Sequence, residues 1–118
     1  MKPVIVKFLW EGAEEWERLN KIVGEEQAKG IANSESQQLL KSIKQKIDLI
    51  KSNPQYGDHV PKKQIPKNLP VDNLWVVDLT GYWRMVYTLK GEAVEIVCFI
   101  LQIIDHKKYD KIFSYRKK

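Results

Sequence analysis

Three apolar segments, rich in β-branched and aromatic residues, follow one another between residues 73 and 104, and short glycine-containing turns separate them. The segments and the turns between them are "NLWVVDL" (73–79), Thr80-Gly81, "YWRMVYTL" (82–89), Lys90-Gly91 and "AVEIVCFILQII" (93–104). Strand-forming runs joined in this way predict consecutive β-hairpins, and therefore an antiparallel meander. The third segment is apolar at both alternating sets of positions, so we expect it inside the sheet.

The first half of the chain shows helical periodicity after one short strand. "PVIVKFL" (3–9) predicts the strand, because it is short and β-branched. Residues 11–29 predict an amphipathic helix, since apolar residues recur there at every third or fourth position. A second helix is predicted to begin at Ser34, which forms a capping box with Gln37, and to end near Pro54.

The predicted elements have the order βααβββ and together define an α+β fold. Residues 54–72 contain four of the five prolines and predict a loop, and a short helical turn is expected after Asp105. Two helices can cover one face of a small antiparallel sheet, with the N-terminal strand added beside it. At 118 residues, we expect one domain that spans residues 1–118.

Arg84 stands out because it lies in the middle of an apolar strand. Alternation places Tyr82 and Arg84 on the face opposite Trp83 and Met85, which should pack under the helices. We therefore expect Arg84 on an open sheet face. Two interpretations remain: Arg84 pairs with Asp78 on the neighbouring strand, or it binds the phosphate of a nucleic acid.

Positive charge collects in the second half of the chain, which has a net charge of +5. The C-terminal segment 105–118 has six basic residues against two acidic ones, a net charge of +4. The loop adds three lysines without an acidic neighbour: Lys62, Lys63 and Lys67. This distribution suits a polyanion such as RNA, although a solvated basic surface explains it as well.

Several classes of protein are disfavoured by the sequence. The lone Cys98 cannot form an internal disulfide and is predicted to be a core residue, which favours a reducing, cytoplasmic setting. Neither an export signal nor a membrane span is recognisable. Phosphate-binding loops, zinc-ligand spacings and serine-nucleophile motifs do not occur, so we expect no metal and no cofactor.

The order and spacing of these motifs resemble the RelE/ParE superfamily of toxin–antitoxin toxins. "NLWVVDLTGYWRMVYTL" and "DHKKYDKIF" carry the resemblance, together with the "NPQYG" loop. The "HKKYD" ending is most similar to the RelE- and HigB-type branch. The resemblance implies a metal-independent, ribosome-dependent messenger-RNA endoribonuclease in the cytoplasm. It also implies an acidic, partly disordered antitoxin as partner, in a hetero-oligomer with the toxin.

The resemblance also suggests roles for individual residues. Arg84 matches the arginine that contacts the scissile phosphate, and Tyr109 matches a C-terminal tyrosine that stacks on or orients the substrate. His106 is the first candidate for proton transfer, since an imidazole titrates near neutral pH. The remaining candidates for RNA or phosphate binding are Lys107, Lys108, Lys62, Lys63, Lys67, His59 and Tyr82.

One departure from the family pattern leaves the general base unidentified. By this resemblance, Val76 and Asp78 stand where RelE has two strand lysines. The alternatives to cleavage are therefore a ParE-like gyrase inhibitor and a catalytically inactive member that binds nucleic acid or protein. Without the resemblance, a capping or surface role explains His106 better than proton transfer does, and Asp105 is predicted to be a helix N-cap.

Overall fold

A mixed, five-stranded sheet organises the fold in the computed structural model, which describes residues 2–113. The strands, in chain order, are β1 (Val4–Phe8), β2 (Asp58–His59), β3 (Trp75–Asp78), β4 (Trp83–Gly91) and β5 (Ile96–Asp105). Their spatial order is β1-β5-β4-β3-β2. The antiparallel meander of β3, β4 and β5 is confirmed, and β5 lies inside the sheet as predicted. Part of the basic C-terminal segment lies outside the described residues, including Tyr115, Arg116, Lys117 and Lys118.

The sheet is not antiparallel throughout, because β1 pairs with β5 in parallel. The two helices that follow β1 carry the chain across the sheet, and crossovers of this kind allow parallel pairing. The short β2 pairs with β3 inside the segment that was predicted to be loop. The α+β class and the element order are otherwise confirmed.

Three helices complete the fold: α1 (Trp10–Ala28), α2 (Glu35–Ser52) and α3 (His106–Ile112). Ser34 caps α2 as predicted, since its Oγ accepts a hydrogen bond from the Gln37 backbone N at 3.1 Å. The Gln37 Oε1 accepts a hydrogen bond from the Asn33 backbone N at 2.7 Å, one residue earlier than in the usual capping box. Short 3₁₀ turns occur at Lys62–Gln64 and Thr80–Tyr82.

Both faces of the sheet are covered, which corrects the expectation of an open face opposite the helices. The alternation of β4 is as predicted: Met85 and Tyr87 belong to the core under α1 and α2, and Val86 points away from it. Val86 belongs to a second core, whose other buried members are Val60, Leu69, Leu74, Val76, Leu101, Ile104, Tyr109 and Phe113. The loop and α3 supply enough apolar surface to cover this face, because burying it is favourable.

The turn between β4 and β5 falls later than predicted. Lys90 and Gly91 remain in β4, where Gly91 pairs with Ile96. The chain reverses at residues 92–95 instead, and the Glu92 backbone N donates to the Glu95 carbonyl at 2.7 Å. Because hydrogen-bonded pairing continues past the glycine, the local turn signal at Lys90-Gly91 was misleading.

The lone cysteine is a core residue, as predicted. Cys98 is fully buried, and desolvation raises the pKa of its thiol to about 12. The sequence has four tryptophans, and their large apolar rings predict core positions for all of them. Trp16, Trp75 and Trp83 do pack against the core. Trp10 does not, since 45% of its surface is exposed. Within residues 2–113, none of the helices is long and apolar enough to cross a membrane.

Candidate functional site

A cleft of about 250 Å³ lies where β2, β3 and β4 meet the start of α3. The residues that line it are Asp58, His59, Val60, Pro61, Val76, Asp78, Arg84 and Tyr109. Asp58 pairs in register with Val76, and Asp78 pairs with Arg84. Cross-strand partners point to the same face of a sheet, so both carboxylates lie on the Arg84 face. The cleft therefore combines one guanidinium with two carboxylates.

Arg84 is held in the cleft by two neighbours. Its Nε donates to Asp78 Oδ1 at 3.1 Å, so the cross-strand pair considered from the sequence is present. Its guanidinium carbon lies 4.6 Å from the centre of the Tyr109 ring, a cation–π contact. The Arg84 side chain is 29% exposed and that of Asp78 is 80% exposed. An ion pair with one such solvated partner contributes at most about 1 kcal/mol, so a phosphate can displace the carboxylate.

Tyr109 is placed by a well-capped short helix. Asp105 caps α3, since its Oδ1 accepts from the Lys108 backbone N at 2.9 Å, and this confirms the predicted N-cap. The ring of Tyr109 stacks on Phe113 at a centroid distance of 4.4 Å and is only 5% exposed. Because its ring is buried, Tyr109 offers a fixed aromatic face on which the guanidinium of Arg84 packs.

The two histidines occupy different surroundings. His106, the first residue of α3, is not among the residues that line the cleft; its ring lies 5.6 Å from that of Tyr82. Tyr82 is 79% exposed and has a φ angle of +63°. His59 lines the cleft, and the centre of its ring lies 4.6 Å from the centre of the Trp75 ring. The structure thus brings Arg84 and Tyr109 into contact and places His106 beside Tyr82.

The predicted lysines all lie on the surface. Lys62 and Lys63 belong to the first 3₁₀ turn, next to the Val60 and Pro61 wall of the cleft, and Lys67 follows in the same loop. Lys107 and Lys108 are exposed residues in the first turn of α3. These side chains can therefore approach a polyanion without being desolvated first.

Asp58 is the cleft residue that sequence reasoning missed. Its position depends on the strand β2, and a strand of two residues inside a proline-rich segment leaves no periodic pattern. Tyr87 fixes this segment from the core: its hydroxyl donates to the Pro54 carbonyl at 2.8 Å and accepts from the Gly57 backbone N at 3.0 Å. Burial raises the pKa of Tyr87 to about 12, so this hydroxyl stays protonated. The described part of the chain contains no cluster of three or more side chains suited to holding a metal ion.

Comparison with solved structures finds a similar fold in a bacterial toxin. No family model matches the chain, and its sequence matches no curated protein. Its structure is similar to that of the YoeB/ParE toxin from Agrobacterium tumefaciens, with a TM-score of 0.55 and 17% sequence identity. The match covers 86% of this chain and 98% of that toxin. The chain therefore has the RelE/ParE-type toxin fold that its motifs predicted.

Proposed function

We propose that this chain is the toxin of a type II toxin–antitoxin system and that it cleaves messenger RNA on the ribosome. The observation that carries the proposal is Arg84, a half-buried guanidinium on a toxin fold, held in a cleft between Asp78 and the Tyr109 ring. Guanidinium groups bind phosphate in a fork geometry that lysine cannot offer. A phosphate that enters this cleft exchanges with the exposed carboxylate of Asp78.

The proposed reaction is attack of a ribose 2′-hydroxyl on the adjacent phosphate. The 2′-oxygen bonds to phosphorus, the bond from phosphorus to the 5′-oxygen breaks, and the products are a 2′,3′-cyclic phosphate and a 5′-hydroxyl. A base accepts the 2′-hydroxyl proton, and an acid protonates the leaving oxygen. Arg84 stabilises the charge that develops on the phosphate oxygens, and Tyr109 positions Arg84.

Two histidines are the candidates for proton transfer in this proposal. His106 lies beside the exposed Tyr82, on which an unpaired base can stack. His59 lines the cleft, in which Asp58 is a further acceptor for a proton. Substitution of each residue separately by alanine identifies which of them takes part.

The test is primer extension on a translated messenger RNA with the intact protein and single variants. Arg84→Ala should lower the cleavage rate by about a hundredfold or more, the usual effect of removing one transition-state donor. Arg18→Ala is the matched control, because Arg18 makes a surface ion pair with Glu15 on α1. Cleavage that continues at the full rate in Arg84→Ala would refute the assignment of the cleft.

A second candidate is supported by the acidic side of the same cleft. Asp58 and Asp78 line the cleft together with Arg84. The ion pair with Asp78 already compensates part of the positive charge of Arg84. A protein that acts by binding alone, such as a gyrase inhibitor, has no need of a vacant guanidinium. Supercoiling by gyrase distinguishes the two: inhibition that persists in Arg84→Ala, without any RNA cleavage, favours the binding function.

The proposed partner is an antitoxin that carries acidic, partly disordered segments. The exposed lysines of the loop and of α3 offer such a segment several ion pairs, and a disordered chain can fold as it binds. Co-expression with the small acidic open reading frame expected beside the gene should relieve growth arrest. Growth arrest that no neighbouring frame relieves would count against this partner.

A further inference from the structure

A second concave site lies at the start of α1, apart from the cleft around Arg84. This groove has a volume of about 210 Å³ and is lined by Trp10, Glu11, Asn68, Leu69, Leu101 and Gln102. It shares no lining residue with the cleft. None of its residues has a role in the function proposed above.

A β-bulge brings two neighbouring side chains of β5 into the groove. Val86 pairs with Gln102 and Tyr87 pairs with Ile100, so Leu101 is the additional residue on β5. Bulges turn side chains away from the regular alternation, and both Leu101 and Gln102 line the groove. The irregularity thus places a polar amide beside an apolar side chain in one wall.

One buried acceptor in the wall of the groove has no hydrogen-bond donor among the described residues. Gln102 is only 3% exposed, and its Oε1 is buried without a hydrogen-bond partner among the described residues. Its Nε2 donates to Glu11 Oε1 over a long 3.4 Å. The opposite orientation of the amide would set two oxygens against each other, so Oε1 is the unpaired atom. Buried acceptors without a partner are uncommon, and this one adds to the carboxylate of Glu11.

Trp10 provides an aromatic wall, held outward by an unfavourable backbone. Its φ angle is +53°, in the left-handed region that bulky residues rarely adopt, and 45% of its surface is exposed. Strain of this kind is often found at binding sites. An exposed indole next to hydrogen-bond acceptors suits a flat ligand that brings its own donors.

Two lysines lie near the groove, one on α3 and one in the loop. Lys108 Nζ lies 4.0 Å from Glu11 Oε1, while Tyr109, the next residue along α3, lines the cleft. Lys67 precedes Asn68 in the loop and is exposed. An acidic, aromatic pocket with a basic rim matches a nucleobase with donors on its edge and phosphates on either side.

From this arrangement we propose that the groove binds an unpaired guanine base of single-stranded RNA. The guanine stacks on Trp10 and donates its N1–H and 2-amino hydrogens to the Glu11 carboxylate, while Asn68 provides an amide donor for O6. Among the four bases only guanine presents two adjacent donors to a carboxylate. Gln102 is a positioning residue that orients Glu11. Because α3 borders both sites, one RNA strand can cross its exposed lysines and occupy the two together.

The test is equilibrium binding of fluorescent pentaribonucleotides with 2′-O-methyl riboses, which cannot undergo 2′-hydroxyl attack. The sequence AAGAA should bind at least about tenfold more tightly than the same oligonucleotide with inosine, which lacks the 2-amino donor to the charged carboxylate. Glu11→Gln should remove this preference, whereas Glu14→Gln, an exposed change on the same helix, should keep it. Equal affinity for the two oligonucleotides, or a preference that persists in Glu11→Gln, would overturn the proposal.

Variants of Trp10 test the stacking contact. Trp10→Ala should weaken binding of AAGAA by about tenfold, in line with the loss of one base–aromatic stack. Trp10→Phe should recover most of it, and Leu49→Ala, which removes an exposed side chain on α2, should have no effect. Unchanged binding in Trp10→Ala would contradict the proposal. Binding of an arginine-containing peptide through Trp10 and Glu11, without binding of the oligonucleotide, would also contradict the proposal.

These results are separable from those on the cleavage reaction. The inference rests on RNA as the ligand but not on cleavage at Arg84. Arg84→Ala should slow cleavage by about a hundredfold or more and leave the guanine preference intact. If the intact protein cleaves no RNA, the guanine preference is still expected; if cleavage is found without that preference, only the groove assignment fails.

Discussion

At the scale of single residues, burial decides which titratable groups take part in chemistry. Cys98 and Tyr87 are fully buried in the helix-side core, and desolvation raises the pKa of each to about 12. Arg84 lies in the same strand as Tyr87, yet it reaches the cleft because its side chain points to the other face. One strand therefore supplies a core group and a candidate functional group.

The raised pKa of Cys98 predicts a loss of stability at alkaline pH. The ordinary pKa of the thiol is 9.0, and in the folded protein it is about 12. The unfolded chain thus releases its proton first, so the stability contributed by the neutral thiol is complete below pH 9 and is lost as the pH rises towards 12. Urea unfolding of the intact protein and of Cys98→Ala should show a difference in unfolding free energy that narrows over this range. A constant difference would contradict the prediction.

The site residues show how far the sequence can be interpreted. Alternation in β4 correctly separated Arg84 from Met85 and Tyr87, because a strand allows only two faces. The contact of Arg84 with Tyr109 links two elements that only the complete fold brings together. The groove at Trp10 was missed, since the residue was assigned to the core on its type alone, whereas the local backbone turns it outward.

At the scale of elements, α3 connects stability with the candidate cleft. This helix is a seven-residue segment, too short to persist without its cap and its packing against the sheet. Asp105 supplies the cap, and the burial of Tyr109 and Phe113 supplies the packing.

Removal of the α3 cap should disturb both properties together. Asp105→Ala should lower the unfolding free energy by about 0.5–2 kcal/mol, the usual effect of losing an N-cap. Because Tyr109 supports Arg84, cleavage should also slow. Asp105→Asn is the matched control, since asparagine caps about as well as aspartate. Chemical denaturation and primer extension measure the two effects, and an Asp105→Ala variant as stable as the intact protein would refute the role of the cap.

The elements also divide into those that local pattern predicts and those that it does not. Helices α1 and α2 and the meander follow from periodicity, so their order was correct. The parallel partner of β1 is about 90 residues away in the sequence, and no local pattern specifies such a pairing. Local pattern does not predict the second core either, because the loop residues that contribute to it between Val60 and Leu74 are not regularly spaced.

At the scale of the whole molecule, the uneven distribution of charge has the largest consequence. The net charge is +5, and exposed lysines occur on both the loop beside the cleft and the surface of α3. Acidic residues in the cleft and at the groove interrupt this basic surface. Lysines should therefore supply affinity for RNA, and the two concave sites should supply selectivity.

The salt dependence of RNA binding tests this division. Replacing Lys107, Lys108 and Lys111 with glutamine should reduce the slope of log affinity against log salt concentration by about 2, since each phosphate contact to a single strand contributes about 0.7. The same change at Lys41, Lys44 and Lys51, exposed residues of α2, is the control and should leave the slope unaltered. Equal slopes for the two triple variants would show that α3 does not contact the phosphates.

The close approach of α1 to the sheet has a consequence for how the groove can vary. Gly12 packs so tightly that a β-carbon there would overlap the carbonyl oxygen of Ile100, on the strand that bulges at the next residue. Any larger residue at this position would displace the first turn of α1 from the sheet, and Trp10 and Glu11 would move with that turn. Gly12 thus sets the distance between α1 and the sheet. Its replacement should change the shape of the groove without altering any atom that lines it.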